Sequence, residues 1–381
     1  MMTLAQEQNR TAATSDNYQV DLLEVLPNGW DDFQVAFGSQ VGLLQSMYWG
    51  SLMVALDRGK PIYFVVRQGD RIAATLLAVH LRWPANWGQR LFLSILGLGG
   101  GRIDFGCGPA LADDIDRCQV LDLLLVKMHQ YVRKNGVSIV RSSGFSPVSN
   151  IVCNVEIQGV FLRNDYAFNN WATYVLNLTS SEDDLLMSLD HSARKGIKKA
   201  LREGVSIRKI DTWDSYQENF LRPYLDWTIN SDRDAFTHDA NIIWHHPGHS
   251  RYYHYFTAFH RDGRALAVLG MYVFAGVATE ITSAIAPVAF DEKIPVQDIL
   301  HWEMFLEAKR QGCHYFDLAG VAPNPGSQKE ENIRRFKKKW GGQYVVYDRY
   351  EWQHPVMRKL LHVVDSMTRL LGKLRSHLRP G

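Results

Sequence analysis

Apolar positions along this chain fall into two sets of matching segments. Tyr63 to Leu81 (YFVVRQGDRIAATLLAVHL) and Tyr255 to Val273 (YFTAFHRDGRALAVLGMYV) each read as an apolar strand, a polar turn carrying Gly, Asp and Arg, and a longer apolar strand. That is the pattern of a β-hairpin. Each hairpin is followed by a stretch of helical periodicity that runs into a short strand, Leu123 to Arg141 and Leu300 to Leu318. Both helices end in a basic pair, then a polar residue, then Gly136 or Gly312, where a helix commonly stops in the left-handed conformation. The second hairpin starts 192 residues after the first, and Gly312 lies 176 residues after Gly136. A unit of roughly 150–190 residues has therefore been duplicated. The predicted fold class is α/β, with two tandem domains at 18–165 and 166–352, each a mixed, largely antiparallel sheet flanked by helices.

Outside the hairpins, Ser180 to Val205 reads as one helix, capped by Ser180 or Ser181, acidic in its first turn and stopped by Gly204. Arg194, Lys195, Lys198, Lys199 and Arg202 fall on one face of it. Residues 1–17 are polar and expected to be disordered. The tail, 353–381, carries an apolar stripe from Val356 to Leu374 at helical spacing, with six Lys or Arg against Asp365. It is expected to be a basic amphipathic helix, suited to peripheral contact with an anionic membrane surface.

Composition narrows the function. The chain has 381 residues, 46% hydrophobic and 22% charged, and a formal net charge of only +2, so binding to polyanions must come from local patches. Four cysteines without CxxC spacing read as thiols of a reducing compartment. The N-terminal stretch lacks an apolar signal segment, and the apolar uncharged run Ala265 to Thr279 is too short to span a bilayer. The expected location is the cytoplasm, at most peripheral at the inner membrane face. There is no phosphate-loop lysine motif, and LGLGGGR, Leu96 to Arg102, fails the dinucleotide fingerprint and reads as a tight turn or close strand approach. Neither GxSxG nor HExxH occurs, and Asp190, His191 and Ser192 are helix neighbours that cannot face one another. The histidines between His238 and His254 match no metal spacing, and no metal is expected.

Four stretches carry a resemblance. They are LLQSMYWGSL (Leu43 to Leu52), the Gly108–Pro109 turn, DHSARKGIKKALREGV (Asp190 to Val205), and FDLAGV followed by RRFKKKWGG (Phe316 to Val321 and Arg334 to Gly342). Together they resemble the Fem family of peptidoglycan aminoacyltransferases, over most of residues 40–350. Cys107 stands where the resemblance leads one to expect a basic residue. The resemblance implies two tandem GNAT-like domains plus the C-terminal helix. It also implies an activity: transfer of an amino acid from its tRNA ester to a primary amine of a cell-wall precursor, without a resident cofactor. Lys337 would stabilise the oxyanion or the departing ribose oxygen, Phe336 would position the strand end, and Asp317 would take a proton or orient the amine. Arg194, Lys198, Lys199, Arg334, Arg335 and Lys338 would hold phosphates, and Trp49, Arg102, Asp104 and Arg233 would meet the acceptor. The alternative is an acyl-CoA-dependent N-acyltransferase acting on an amino sugar or surface polysaccharide precursor. CoA binding in that fold uses a glycine-containing turn at a helix N-terminus. The corresponding segment here, APVAFDEKIP (Ala286 to Pro295), has no glycine, which favours the tRNA-linked donor.

Overall fold

The computed structural model describes residues 18–37, 40–82, 93–152, 154–228 and 233–362, the side chains of 233–236 excepted. The expected disorder of 1–17 and the tail beyond 362 lie outside the described residues. The N-terminal half contains β1 (Gln19–Leu23), α1 (Trp30–Ala36), α2 (Met47–Ala55), β2 (Gly59–Gln68), β3 (Arg71–Leu81), β4 (Arg102–Phe105), β5 (Ala110–Leu111), α3 (Arg117–Asn135), β6 (Ile139–Ser142) and α4 (Val155–Arg163). The C-terminal half contains β7 (Ala167–Asn177), α5 (Glu182–Ser188), α6 (His191–Arg202), β8 (Ser206–Ile210), β9 (Tyr253–Phe259), β10 (Ala265–Phe274), β11 (Val277–Ile285), α7 (Val296–Arg310), β12 (Tyr315–Asp317), α8 (Gln328–Lys338) and β13 (Gln343–Gln353). Further helices lie between 213 and 252.

The duplication is visible in the strands. β2–β3 and β9–β10 are the two antiparallel hairpins. In each half a helix then crosses to make a parallel pair, β4 with β6 through α3 and β11 with β12 through α7. Gly136 and Gly312 end those helices at φ 60° and 76°. Instead of two sheets there is one, in the order β1-β2-β3-β4-β6-β13-β7-β12-β11-β10-β9-β8, with β5 on β3. β13 makes the join: Gln343 to Glu351 pair with β7, and Tyr350 to Gln353 pair with β6. A strand covered on both sides leaves neither half with an open edge there.

One sequence expectation changes locally. Ser180–Val205 is broken into α5 and α6, because Asp190 caps a new helix by accepting from Ser192 N, while its own N–H donates to Lys339 O at 2.9 Å. Ser181 caps α5. Within RRFKKKWGG, Arg334 to Lys338 complete α8, and Gly341 (φ 73°) makes the turn into β13. The glycine run behaves as a close approach. A Cβ on Gly100 would lie 1.8 Å from Asn135 O, and one on Gly101 2.2 Å from Leu81 O. The tail begins as a helix at 355–362, where Met357 is buried with Leu98 and Ile139 of the N-terminal half.

One core packs α5, α6 and α7 on the C-terminal sheet, and a second packs α3 and α4 on the N-terminal sheet. At the rim of the first core, Glu307 accepts from Lys209 Nζ (2.5 Å), Arg310 Nε (2.9 Å) and Gln311 Nε2 (2.9 Å). Burial alone would raise its pKa, but these donors hold it at about 2, from an ordinary 4.5. A depressed carboxylate stabilises the fold above its unfolded value and loses that contribution as pH falls towards its folded value. Glu307→Gln is therefore expected to lower the melting temperature at neutral pH. The gap to wild type should close between about pH 4.5 and pH 2, as read by calorimetry across that range.

Candidate active site

The end of β12, the end of α8 and the middle of β11 converge where the two halves meet. Asp317 closes β12 and is buried; its Oδ1 accepts from Thr173 Oγ1 (2.5 Å, on β7) and from Ala319 N (2.9 Å). The Thr173 hydroxyl also lies 2.7 Å from Ala319 O, so its single proton serves one of two acceptors at a time. Burial pushes the Asp317 carboxyl upward, against the pull of Thr173, Ala319 N and Lys337.

Lys337, in the last turn of α8, reaches back to the loop after β12. Its Nζ donates to Ala319 O (3.2 Å) and Gly320 O (3.3 Å). An ammonium has three donors, so one N–H remains for a substrate oxygen. Burial draws the lysine below its ordinary 10.5, opposed by the charges of Glu280 and Asp317. The loop is held tightly: Ala319 is left-handed at φ 61°, and a Cβ on Gly320 would meet Trp171 Nε1 at 2.0 Å. Phe336 does not position a strand end. It sits on α8 and packs edge-on to His301 of α7, ring centroids 5.1 Å apart.

The N-terminal half contributes the Gly106–Pro109 loop. Cys107 (φ 48°) donates its N–H to Ser143 Oγ at 3.2 Å. Dense surroundings, then the Asp317 charge, push its thiol to about 11. Tyr272 and Tyr347 are raised first by burial and also by the charges of both Asp317 and Cys107. The loop and the strand-end carboxylate therefore belong to one locus. Beside it, a cavity of about 340 Å³ opens between α2 and the sheet, with Trp49, Val79 and Leu81 as apolar wall and Asp104, Arg141 and Arg349 as charged groups. Asp104 Oδ1 and Arg349 Nε have no hydrogen-bond partner among the described residues.

The sequence-derived residues divide accordingly. Lys337, Asp317 and, at one remove, Phe336 come together. Trp49 and Asp104 line the cavity, while Arg102 pairs with Asp104 at 3.1 Å. Arg233 begins a helix at 233–245 whose first side chains lie outside the described residues. Of the cations assigned to phosphates, three are occupied. Arg194 donates to Met187 O and Leu189 O, Lys199 to Lys293 O, and Arg334 pairs with Glu331. Lys198, Arg335 and Lys338 are exposed, together with Lys195 and Arg202. The Asp190–Lys339 hydrogen bond sets the start of α6 beside the end of α8.

Sequence reasoning missed Thr173, Glu280 and His301. A signal for Glu280 existed: it ends the apolar uncharged run Ala265 to Thr279. Among the described residues, no group of three His, Cys, Asp or Glu side chains is placed to hold a metal ion.

The two crossover helices offer N-termini where a pyrophosphate could bind, and both are unsuited to one. At α7 the first turn carries buried Asp298, ion-paired with Lys339, and α6 covers it so closely that a Cβ on Gly196 would meet Asp298 Oδ2 at 1.8 Å. At α3, Asp116 is the cap, and the adjoining hollow of about 370 Å³ carries three carboxylates, Asp113, Asp116 and Glu156, against one cation, Arg117, which is paired with Asp113. Carboxylates at a helix N-terminus satisfy the dipole and repel a second anion.

No protein-family model matches the chain, and no curated protein matches it. Solved structures do. A crystal structure of FemX superposes with a TM-score of 0.70 at 11% identity, covering 90% of this chain and 99% of that one. A tandem GNAT protein from the clavulanic acid biosynthesis pathway gives 0.54 at 11%, covering 88% and 98%. L-PGS from Bacillus licheniformis gives 0.50 at 14%, covering 92% and 98%. The fold is thus the Fem-like tandem GNAT fold implied by the sequence resemblance. Among the described residues, no helix is long and apolar enough to cross a membrane.

Proposed function

We propose that this chain is an acyltransferase that moves an aminoacyl group from its tRNA ester to a primary amine of a peptidoglycan-type cell-wall precursor. The observation that carries the reading is the placement of Lys337. It is a largely buried ammonium anchored on two main-chain carbonyls, with one donor free and the Asp317 carboxyl nearby, at the junction of the two halves. In this reading the amine nitrogen attacks the ester carbonyl and the oxyanion forms against Lys337 Nζ, where a fixed charge in a water-poor site is most effective. The attacking nitrogen, positively charged once its bond to the carbonyl carbon has formed, gives its extra proton to Asp317. The bond between carbonyl carbon and ribose oxygen breaks, and that oxygen takes the proton, leaving an amide and a free hydroxyl.

Two further features support the donor class. Neither crossover helix N-terminus suits the pyrophosphate of acyl-CoA. The cations Lys195, Lys198 and Arg202 of α6 and Arg335 and Lys338 of α8 are exposed, so they are open to the phosphates of a tRNA acceptor stem. The cavity beside Trp49 and Asp104 is assigned to the acceptor.

Purified full-length chain, given radiolabelled aminoacyl-tRNA or acetyl-CoA with amine-bearing wall precursors, tests this. Label moving from tRNA into amide is the expected result. Label moving only from the thioester, onto an amino sugar, would replace the reading with that of an acyl-CoA-dependent N-acyltransferase.

A further inference from the structure

Behind Lys337 lies a buried pair that the transfer as written does not use. His301, 1% exposed in α7, has Nδ1 2.8 Å from Gln297 O. A carbonyl only accepts, so Nδ1 carries a proton. Nε2 then faces Glu280 Oε2 of β11 at 3.5 Å, and neither atom has another hydrogen-bond partner among the described residues. If His301 were neutral, a bare nitrogen lone pair would oppose a carboxylate, leaving two buried acceptors unsatisfied. A proton between them satisfies both. The gap is too short for a bridging water.

We propose that His301 and Glu280 form a buried imidazolium–carboxylate pair that seats the end of α8 and keeps Lys337 charged and aimed, making both positioning residues for the transfer. The seat is built from aromatic residues on either side of Lys337. Trp340 stacks on the imidazole at 5.0 Å and 12°, and Phe336 meets it edge-on at 5.1 Å and 75°. A positive ring against the Trp340 face gains a cation–π term that a neutral ring lacks. The other charged groups leave Glu280 as the partner. On His301's own helix, Asp298 also feels the His301 charge but is ion-paired with Lys339, the cap of α8. From β12, Asp317 takes its hydrogen bonds from Thr173 and Ala319 N. Glu280 is drawn upward by burial but held below its ordinary value by His301 and by the Lys337 charge, so it faces both cations at once.

This inference rests on the role given to Lys337, but its first test needs no substrate. In full-length protein labelled with ¹⁵N-histidine, the His301 ring is assigned from its through-space contact with the Trp340 indole. His301 is expected as the doubly protonated imidazolium in wild type and as the singly protonated Nδ1–H form in Glu280→Gln. A neutral His301 in wild type overturns the pair, and so does an imidazolium that persists in Glu280→Gln. The second test is kinetic. Glu280→Gln is expected to lower kcat about tenfold at unchanged KM and to move the alkaline limb of the pH–rate profile to lower pH, because Lys337 loses one of its two carboxylates. Glu280→Asp should restore part of both. A kcat loss without movement of the limb assigns Glu280 to structure alone. If wild type transfers nothing from tRNA while the His301 spectrum behaves as expected, the functional reading fails and the pair stands.

Discussion

Lys337→Ala is expected to lower kcat for amide formation by about 10²–10³-fold, with KM for donor and acceptor nearly unchanged. Two of the three Nζ donors are taken by Ala319 O and Gly320 O in the resting protein. The remaining N–H has little to offer a neutral ester but much to offer the oxyanion that forms from it. An interaction made only in the transition state appears in kcat and not in KM. Burial strengthens the effect by stripping water from the charge. Because alanine also removes packing volume, Lys337→Met serves as the shape-matched variant and should lose nearly as much. Burial lowers the lysine's pKa, so wild-type turnover is expected to fall on the alkaline side as the ammonium discharges below its ordinary 10.5. Single-turnover rates from charged tRNA, with circular dichroism confirming the fold of each variant, decide the point. An unchanged kcat in Lys337→Met would remove this residue from the chemistry and with it the functional reading.

How much of this was legible in the sequence depends on the range of the interactions. The hairpins, the two crossover helices and their glycine stops are local, set by periodicity and by the left-handed backbone at Gly136 and Gly312. The resemblance led to Lys337 and Asp317 because short contiguous motifs carry them. What was lost was non-local. β13 joins the halves because its outer edge meets β6, some 200 residues earlier in the chain, and no property of the strand itself announces that partner. Arg194, Lys199 and Arg334 looked like phosphate ligands because their charge is visible in the sequence, whereas the groups that occupy them, at Met187, Lys293 and Glu331, depend on how helices end and pack. Asp190 was hidden inside a continuous helical pattern: an aspartate there is an exposed helix residue or a cap, and only its contact with Lys339 decides. His301 and Glu280 each read as an isolated polar residue in an apolar element until β11, α7 and α8 are packed together.

The largest loss of stability is expected from Trp340→Ala. Trp340 is fully buried and stands where the end of α8 meets the core: it stacks on His301, meets Phe305 edge-on at 5.4 Å and Phe336 at 5.8 Å, and carries Lys339 Nζ 4.9 Å over its ring. Truncating a buried tryptophan leaves a cavity that rigid neighbours fill poorly, at a cost of about 3–5 kcal/mol. Here the neighbours are held from several elements: Phe305 and His301 by α7, Phe336 by α8, and the chain after Trp340 by Gly341, whose Cβ position lies 2.5 Å from Ser188 O. Collapse into the void is therefore limited, which places the expected loss in the upper part of that range. Trp340→Phe keeps a ring against His301 and should lose much less. Denaturant unfolding of the three proteins reads the difference, and turnover measured well below each midpoint separates stability from function. Trp340→Ala should lose activity beyond its unfolded fraction, because the same cavity loosens the seat of Lys337. A loss of only about 0.5 kcal/mol, as for an exposed site, would mean that α8 is held by β13 and the Asp190–Lys339 hydrogen bond rather than by this aromatic cluster.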